Sequence, residues 1–217
     1  MTNEGLNAKQ EKIVTIAAFT AMGEPDKLRT ALNGGLDAGL TISEIKEILV
    51  QMYAYAGFPR SLNGIYTFMG VLEEREQKGI EDELGKEPSS MPAEKSKYEI
   101  GHGVMRKLSG TQAVPAKSGY EVFVPAIDVF LKEHLFADIF GRDNLDIQSR
   151  EIATISALAS MEGVNPMLQF HLNAGINVGL TEAQIRSLIS VIESSFGKKE
   201  ANNADEILSK VLSIRAR

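Results

Sequence analysis

The chain contains an internal repeat, and that feature restricts its fold more than any other. Leu28 to Leu49 reads LRTALNGGLDAGLTISEIKEIL and Leu168 to Ile189 reads LQFHLNAGINVGLTEAQIRSLI, at a constant offset of 140 residues. Eight of the 22 paired positions are identical: Leu28, Leu32, Asn33, Gly35, Gly39, Leu40, Thr41 and Ile45 with their counterparts. Unrelated segments of ordinary composition would share about one or two. Upstream, Ile13-Val-Thr-Ile16 matches Ile152-Ala-Thr-Ile155, and the turn Met22-Gly23 matches Met161-Glu-Gly163. Two copies of one module of roughly 70 residues account for this pattern. The 217 residues therefore divide into a first module (6–77), a linker (78–97), connecting helices (98–143) and a second module (144–215).

Each copy reads as consecutive helices. Glu11 to Met22 and Ser149 to Met161 carry apolar residues at three- and four-residue spacing, and Gly23 and Gly163 then end them. Asn165-Pro166 has the form of an N-cap followed by proline at the first helical position, and Glu24-Pro25 is the weaker equivalent. Thr41-Ile-Ser-Glu44 and Thr181-Glu-Ala-Gln184 are capping boxes that open a third helix, after the stops at Gly39 and Gly179. No run sustains a period of two, so the fold is expected to be all-α: two tandem helical modules joined by a linker and extra helices.

Lys78 to Lys97 is rich in charge, proline and serine and reads as a solvated linker. Tyr98 to Leu108 and Ala126 to Phe140 are predicted as two more helices. The segment PAIDVFLKEHLFADIFGRD is amphipathic and unusually aromatic, which suits a helix packed across the domain or between subunits. His134 and Asp138, four apart, share one face of it and fit an interfacial pair. The same segment also concentrates ionisable groups among aromatics, so a role in lining a site stands beside the structural one.

Composition narrows the chemistry. Lys plus Arg is 23 and Asp plus Glu is 29, a formal charge of −6, which argues against a nucleic-acid partner. The longest nearly apolar stretch, Ile13 to Met22, is about half the ~20 residues of a membrane helix, so no membrane association is expected. The N-terminal Met-Thr-Asn-Glu-Gly has neither the basic start nor the apolar core of a signal peptide, and a cytoplasmic location is expected. The absence of cysteine excludes disulfides, thiolate nucleophiles and iron–sulfur clusters. The three histidines show no paired metal-ligand spacing, and no Gly-x-Gly-x-x-Gly, Walker loop or Gly-x-Ser-x-Gly elbow is present. No metal and no cofactor are expected.

Among the histidines, His171 is the most suggestive. It lies on the second helix of the second module, beside the apolar stripe of Leu168 and Leu172. Glu151 lies on the edge of the inward stripe of the preceding helix, four residues before Ile155. Two antiparallel helices joined by a short turn bring the start of the first near the end of the second, so these residues, 20 apart, can face each other. A buried carboxylate beside an imidazole stabilises the imidazolium and fixes its tautomer, which makes an acid/base pair near neutral pH. A structural ion pair has the same signature. The first module has Lys12 and Ala31 at the corresponding positions. It carries instead Tyr53-Ala-Tyr55-Ala-Gly57-Phe-Pro59-Arg60-Ser-Leu-Asn63, where the second copy has Ser194-Ser-Phe-Gly197-Lys-Lys-Glu200. Aromatics, a Gly-x-Pro bend and an arginine suit a small apolar pocket with an anion clamp. A helix end closed by glycine and proline, with Arg60 in a surface salt bridge, is the plainer account.

These residues resemble the carboxymuconolactone decarboxylase family, the all-helical group that includes the alkylhydroperoxidase D proteins. The resemblance rests on Tyr55-Ala-Gly-Phe-Pro59 in the first copy. In the second it rests on Arg150-Glu151, Phe170-His171-Leu-Asn173-Ala-Gly175 and Gly179-Leu-Thr181. It covers nearly all of both modules. The peroxidase branch has a Cys-x-x-Cys pair ending four residues before the family histidine; Val164 and Met167 stand there, so the thiol relay is absent. The chain resembles the thiol-free, decarboxylase-like branch.

That resemblance implies a cofactor-independent lyase acting on a small carboxylated lactone, which loses carbon dioxide while a ring carbon gains a proton. His171, poised by Glu151, is then the proton donor. Arg60 or Arg142 would hold the anionic substrate, Tyr55 would supply an aromatic wall or second donor, and His134 would line the site. It also implies a homo-oligomer, a trimer of double modules, with one composite site per chain. The rivals are a lactone hydrolase or isomerase, and a non-catalytic helical binding or assembly protein on the same scaffold.

Overall fold

A computed structural model describes residues 4–111 and 119–216. The first module is four helices, α1 (Ala8–Met22), α2 (Pro25–Asp37), α3 (Ile42–Ala56) and α4 (Phe58–Gln77). Then come α5 (Lys97–Ser109), α6 (Tyr120–Phe123) and α7 (Pro125–Val129), the last running into a π-helical segment, Phe130–Ile139. The second module repeats the plan with α8 (Ile147–Ser160), α9 (Asn165–Asn177), α10 (Glu182–Phe196) and α11 (Lys198–Arg215). No strand occurs among the described residues, and the fold is all-α. None of the helices described is long and apolar enough to cross a membrane.

Local chemistry sets the boundaries. Helix α1 begins three residues before the apolar pattern does, because Asn7 and Gln10 form a capping box. Asp146 accepts from the backbone of Gln148 and Ser149 and starts α8 likewise. Thr41 with Glu44 and Thr181 with Gln184 complete the two boxes that open α3 and α10. Just before them, Gly39 and Gly179 take φ of +89° and +102°, where a side chain would be strained. Gly35 and Gly175 answer to packing instead. A Cβ at Gly35 would lie 2.9 Å from the Ile16 side chain, and one at Gly175 would lie 3.1 Å from that of Ile155. The repeated Asn-x-Gly-x-x-x-Gly-Leu-Thr string thus encodes one close approach and one tight turn.

The core sits where α1 crosses α8. Ile13, Val14, Ile16, Ala17, Ala18 and Ala21 of α1 are buried, and so is every residue of α8 from Ser149 to Ser160. A helix covered on all sides needs satisfied polar groups. Thr20 and Ser156 meet this need by donating to the carbonyls of Ile16 and Ile152 one turn back. Around this pair, α1 touches α2, α3, α4 and α10, while α8 touches α9, α10, α11 and α3, an approximate two-fold arrangement.

The polar groups that join the modules lie between α3 and α8. Arg150 is fully buried and donates to Glu47, to Gln51 and to the carbonyl of Arg142, at 2.9, 3.1 and 2.9 Å. Glu47 also accepts from both Asn144 and Arg142. Gln51 returns a bond to the Arg150 carbonyl at 2.9 Å and a second to Thr154 at 2.8 Å.

The linker follows the surface but is tied to the first module. The carbonyls of Glu83 and Leu84 accept from Ile42 and Ser43, two of the donors left free at the start of α3. Asp82 clasps the Arg75 guanidinium through two 2.8 Å bonds. The segment expected as an α-helix over 126–140 is α-helical only to Val129; beyond it, Phe140 donates to Leu135, five residues back. Lys132 of that segment is buried against Asp128, Glu121 and Tyr98. Burial pulls its pKa down, but the bonds to Asp128, Glu121 and Tyr98 outweigh it and hold the ammonium above the usual lysine range. Gly101 of α5 sits so close to this segment that a Cβ would fall 1.7 Å from the Lys132 carbonyl oxygen.

Two stability predictions arise here. Replacing Glu47 by Ala leaves the Arg150 guanidinium buried without its carboxylate and should destabilise the fold by about 3–5 kcal/mol. Equilibrium denaturation measures this, and a loss under about 1 kcal/mol would mean that the junction is not held by this pair. Gly39→Ala and Gly179→Ala should each cost about 1–2 kcal/mol by the same measurement, because the turn must be remade.

Candidate active site

Three helices converge on one histidine. Val164, not Asn165, is the N-cap of α9, and the Asn165 side chain bonds Asn203 instead; Leu168, Leu172 and Gly175 seat the helix against α8 so that His171 points inward, 4% exposed. Glu151 of α8 is fully buried, and its Oε2 accepts from His171 Nδ1 at 2.9 Å. Acceptance by the carboxylate places the proton of the neutral imidazole on Nδ1 and leaves Nε2 as an acceptor. Toward that nitrogen comes Tyr55, from the last turn of α3 in the other module. Its hydroxyl lies 3.4 Å from Nε2 and its ring meets the imidazole edge-on. Burial first, and then the negative charge of Glu151, push the Tyr55 hydroxyl well above the usual tyrosine range, with Thr154 and Arg150 opposing. It therefore stays protonated. On the opposite flank the Phe170 ring also packs edge-on, its centroid 5.1 Å from that of His171.

One feature of Glu151 stands apart. Its Oε1 is buried and has no hydrogen-bond partner in the protein. A carboxylate oxygen sealed from water and left unbonded is costly, and such atoms in native proteins commonly receive a water or a ligand group. The pair is otherwise closed. Three surface clefts, around Met161 and Asn203, around Gly23 and Arg60, and around Phe170 and Ile214, include neither Glu151 nor His171 in their walls. The third approaches them most nearly, since Phe170 forms part of its lining.

The structure brings Glu151, His171 and Tyr55 together and leaves the remaining candidates elsewhere. Arg60 lies on the first turn of α4 and donates to the carbonyl of Ala21 at the end of α1, in the cleft beside Gly23. The orphan carbonyls of a helix end attract a guanidinium, and that demand takes Arg60 away from the pair. Arg142 directs its Nε at both oxygens of Glu47, 2.9 and 3.0 Å away. Glu47 is eight residues before Tyr55 on α3, about 12 Å along the axis, too far for one small anion to span. His134 is exposed, bonds Asp138 at 3.1 Å and packs on Tyr53, which itself stacks on Phe58. None of these three residues contacts His171.

The participants not singled out from the sequence are Glu47, Gln51, Asn144 and Thr154. A signal existed. Glu47, Gln51 and Tyr55 recur every four residues on α3, within a stripe otherwise made of Ile45, Ile48, Leu49 and Met52. On α8, Arg150 and Thr154 show the same spacing. Polar residues at helical period on a face that must be buried imply a matched partner across the interface.

Comparison with known proteins agrees with this architecture. The model of the carboxymuconolactone decarboxylase family matches residues 1–65 and 125–210. Over 57 residues the chain is 39% identical to 4-carboxymuconolactone decarboxylase from Acinetobacter baylyi, a match covering 26% of this chain and 42% of that protein. The chain thus spans less than half of that relative's length. With the family model split across the two helical modules and most of the sequence covered, the chain belongs to the carboxymuconolactone decarboxylase family.

Proposed function

We propose that this protein is a lyase that removes carbon dioxide from a small carboxylated lactone or a related carbonyl acid, with His171 and Glu151 as its acid/base pair. The observation that carries the reading is the 2.9 Å contact between a fully buried carboxylate and a nearly buried imidazole. Loss of carbon dioxide leaves an electron pair on carbon, and the reaction ends when that carbon is protonated. Glu151, bonded to Nδ1, holds the ring in one orientation, with Nε2 turned toward the other module. The family and the decarboxylase relative support the same class of reaction. Hydrolysis or isomerisation of a lactone would use the same pair.

With purified protein and 4-carboxymuconolactone, carbon dioxide release is expected. His171→Gln should lower kcat by about 100-fold or more, and Glu151→Gln by a smaller factor, with melting temperature and helicity retained. Full activity in the folded His171→Gln protein would remove the imidazole from the mechanism. The sealed state of the pair favours a second reading, an oligomeric helical protein without turnover. No release from any carboxylated lactone or β-keto acid, together with intact folding, would decide for it.

We also propose self-association, as a trimer of double modules. Phe58, Leu62, Tyr66 and Met69 form one exposed face of α4, each between 45% and 67% accessible, a stripe unusual for a helix left facing water. Sedimentation equilibrium should give three times the chain mass, and Tyr66→Glu should shift the protein toward single chains. A wild-type protein that sediments as one chain at micromolar concentration contradicts the assembly.

A further inference from the structure

The repeat that builds the two modules also repeats a binding arrangement, and the linker fills one copy of it. In the first module residues 82–86 lie across the start of α3. Asp82 clasps Arg75 at the end of α4, and the carbonyls of Glu83 and Leu84 accept from the Ile42 and Ser43 amides at 2.9 Å each. Gly85 follows at φ +78°, so close that a Cβ would fall 2.4 Å from Thr41 Oγ1. Space and backbone conformation both require glycine there. Ser43 Oγ then donates to the Lys86 carbonyl, and Lys86 Nζ donates to Asp143, three residues before the Asp146 cap of α8. Thr41 and Ser43 are buried under this strap.

The second module keeps the receiving groups at the same offset of 140 residues. Arg215 stands for Arg75, and Thr181, Glu182 and Ala183 stand for Thr41, Ile42 and Ser43. Arg75 Nη1 meets Asn33 at 3.3 Å and Asp37 at 2.9 Å. Arg215 Nη1 meets their counterparts, Asn173 and Asn177, at 2.6 and 2.8 Å. One edge of each guanidinium is thus fixed in the same way. The other edge, Nε and Nη2, holds Asp82 in the first module and has no partner among the described residues in the second. The Glu182 and Ala183 amides, donors at the start of α10 with no intrahelical acceptor, likewise have none among the described residues. Thr181 is exposed where Thr41 is buried. Glu4, three residues before the Asn7 cap of α1, corresponds to Asp143.

We propose that the second module binds an extended acidic segment of a partner protein, reading Asp-x-x-Gly, as the first module binds residues 82–86. The aspartate takes the open edge of Arg215 through two charge-assisted bonds. The next two carbonyls accept from Glu182 and Ala183, and the glycine passes Thr181. A lysine directly after it faces Glu4. The charges match in sign along the whole track: a guanidinium and a helix N-terminus for the acid, a carboxylate for the base. Ala183 lacks the Ser43 hydroxyl, so one bond of the strap is not reproduced. The occupant comes from another protein because this chain has no spare segment of the pattern. Asp-x-x-Gly occurs twice in it, as Asp82–Gly85, already engaged, and as Asp138–Gly141, at the end of the π-helical segment. Binding there requires no reaction at His171.

A synthetic peptide of residues 80–90, Ile-Glu-Asp-Glu-Leu-Gly-Lys-Glu-Pro-Ser-Ser, is the probe. Titrated to about 1 mM into the full chain labelled with nitrogen-15, it should shift the Glu182 and Ala183 amide resonances in a saturable way. Arg215→Ala, a change at an exposed residue, should weaken binding by about tenfold or more with helicity and melting temperature retained. The same loss is expected when the peptide carries Asp82→Asn. Absence of shifts at Glu182 and Ala183, or equal affinity in Arg215→Ala, overturns the proposal. Shifts confined to Ile42 and Ser43 also overturn it, since the peptide then only exchanges with the chain's own linker. Shifts at Glu182 and Ala183 that arise on concentrating the protein without peptide place a second copy in the site and overturn the assignment to another protein.

Discussion

The geometry of the candidate site depends on the obligation of buried polar groups to find partners. Glu47, Gln51, Arg150 and Thr154 are withdrawn from water between α3 and α8, and each has a donor or acceptor from the opposite helix. Apolar surfaces tolerate a slide of one helix along another at modest cost, whereas a guanidinium and a carboxylate do not. The register of the two modules is therefore fixed by ion pairing and hydrogen bonding, while apolar burial around α1 and α8 supplies most of the driving force. With Glu47 and Gln51 held, the next residue at the same spacing is carried to a definite place. That residue is Tyr55, and the place is the open nitrogen of His171.

The two modules share a backbone plan and differ in their polar content. At the positions of Glu151 and His171 the first module has Lys12 and Ala31, so the crossing of its first two helices carries no carboxylate–imidazole bond. Its third helix brings Tyr55 instead, while the second module has Phe196 near the end of α10, and that ring packs on Phe19. One end of the two-fold arrangement is therefore polar and the other an aromatic contact. The repeated helical plan supplies two comparable interfaces, and different side chains fill them.

The connecting segment bears on the site through packing. Phe136, Ile139 and Phe140 with Leu108 and Ala174 form a second apolar cluster against which Tyr53 and Tyr55 rest. The Lys132 ion cluster and the close seat of Gly101 hold α5 and the π-helical segment together, and that layer covers the aromatic end of α3. The segment thus limits how far Tyr55 can swing from His171. His134, on its outer side, faces solvent and Tyr53.

The sequence by itself determined the helices of the repeat, the repeat itself and one adjacency, but not the π-helical turn of the connecting segment. Capping boxes, glycine stops and helical periodicity are local, and they mark α1, α3, α8 and α10 to within a few residues. The neighbourhood of Glu151 and His171 was also legible, because two helices joined by a short turn must return antiparallel. What only the tertiary structure decided was the choice of partners across long separations. Tyr55 reaches His171 across 116 residues, while Arg60, Arg142 and His134 are drawn to a helix end, to Glu47 and to Asp138. A charged or aromatic side chain announces that it needs a partner, but the register of packed helices determines which partner it meets.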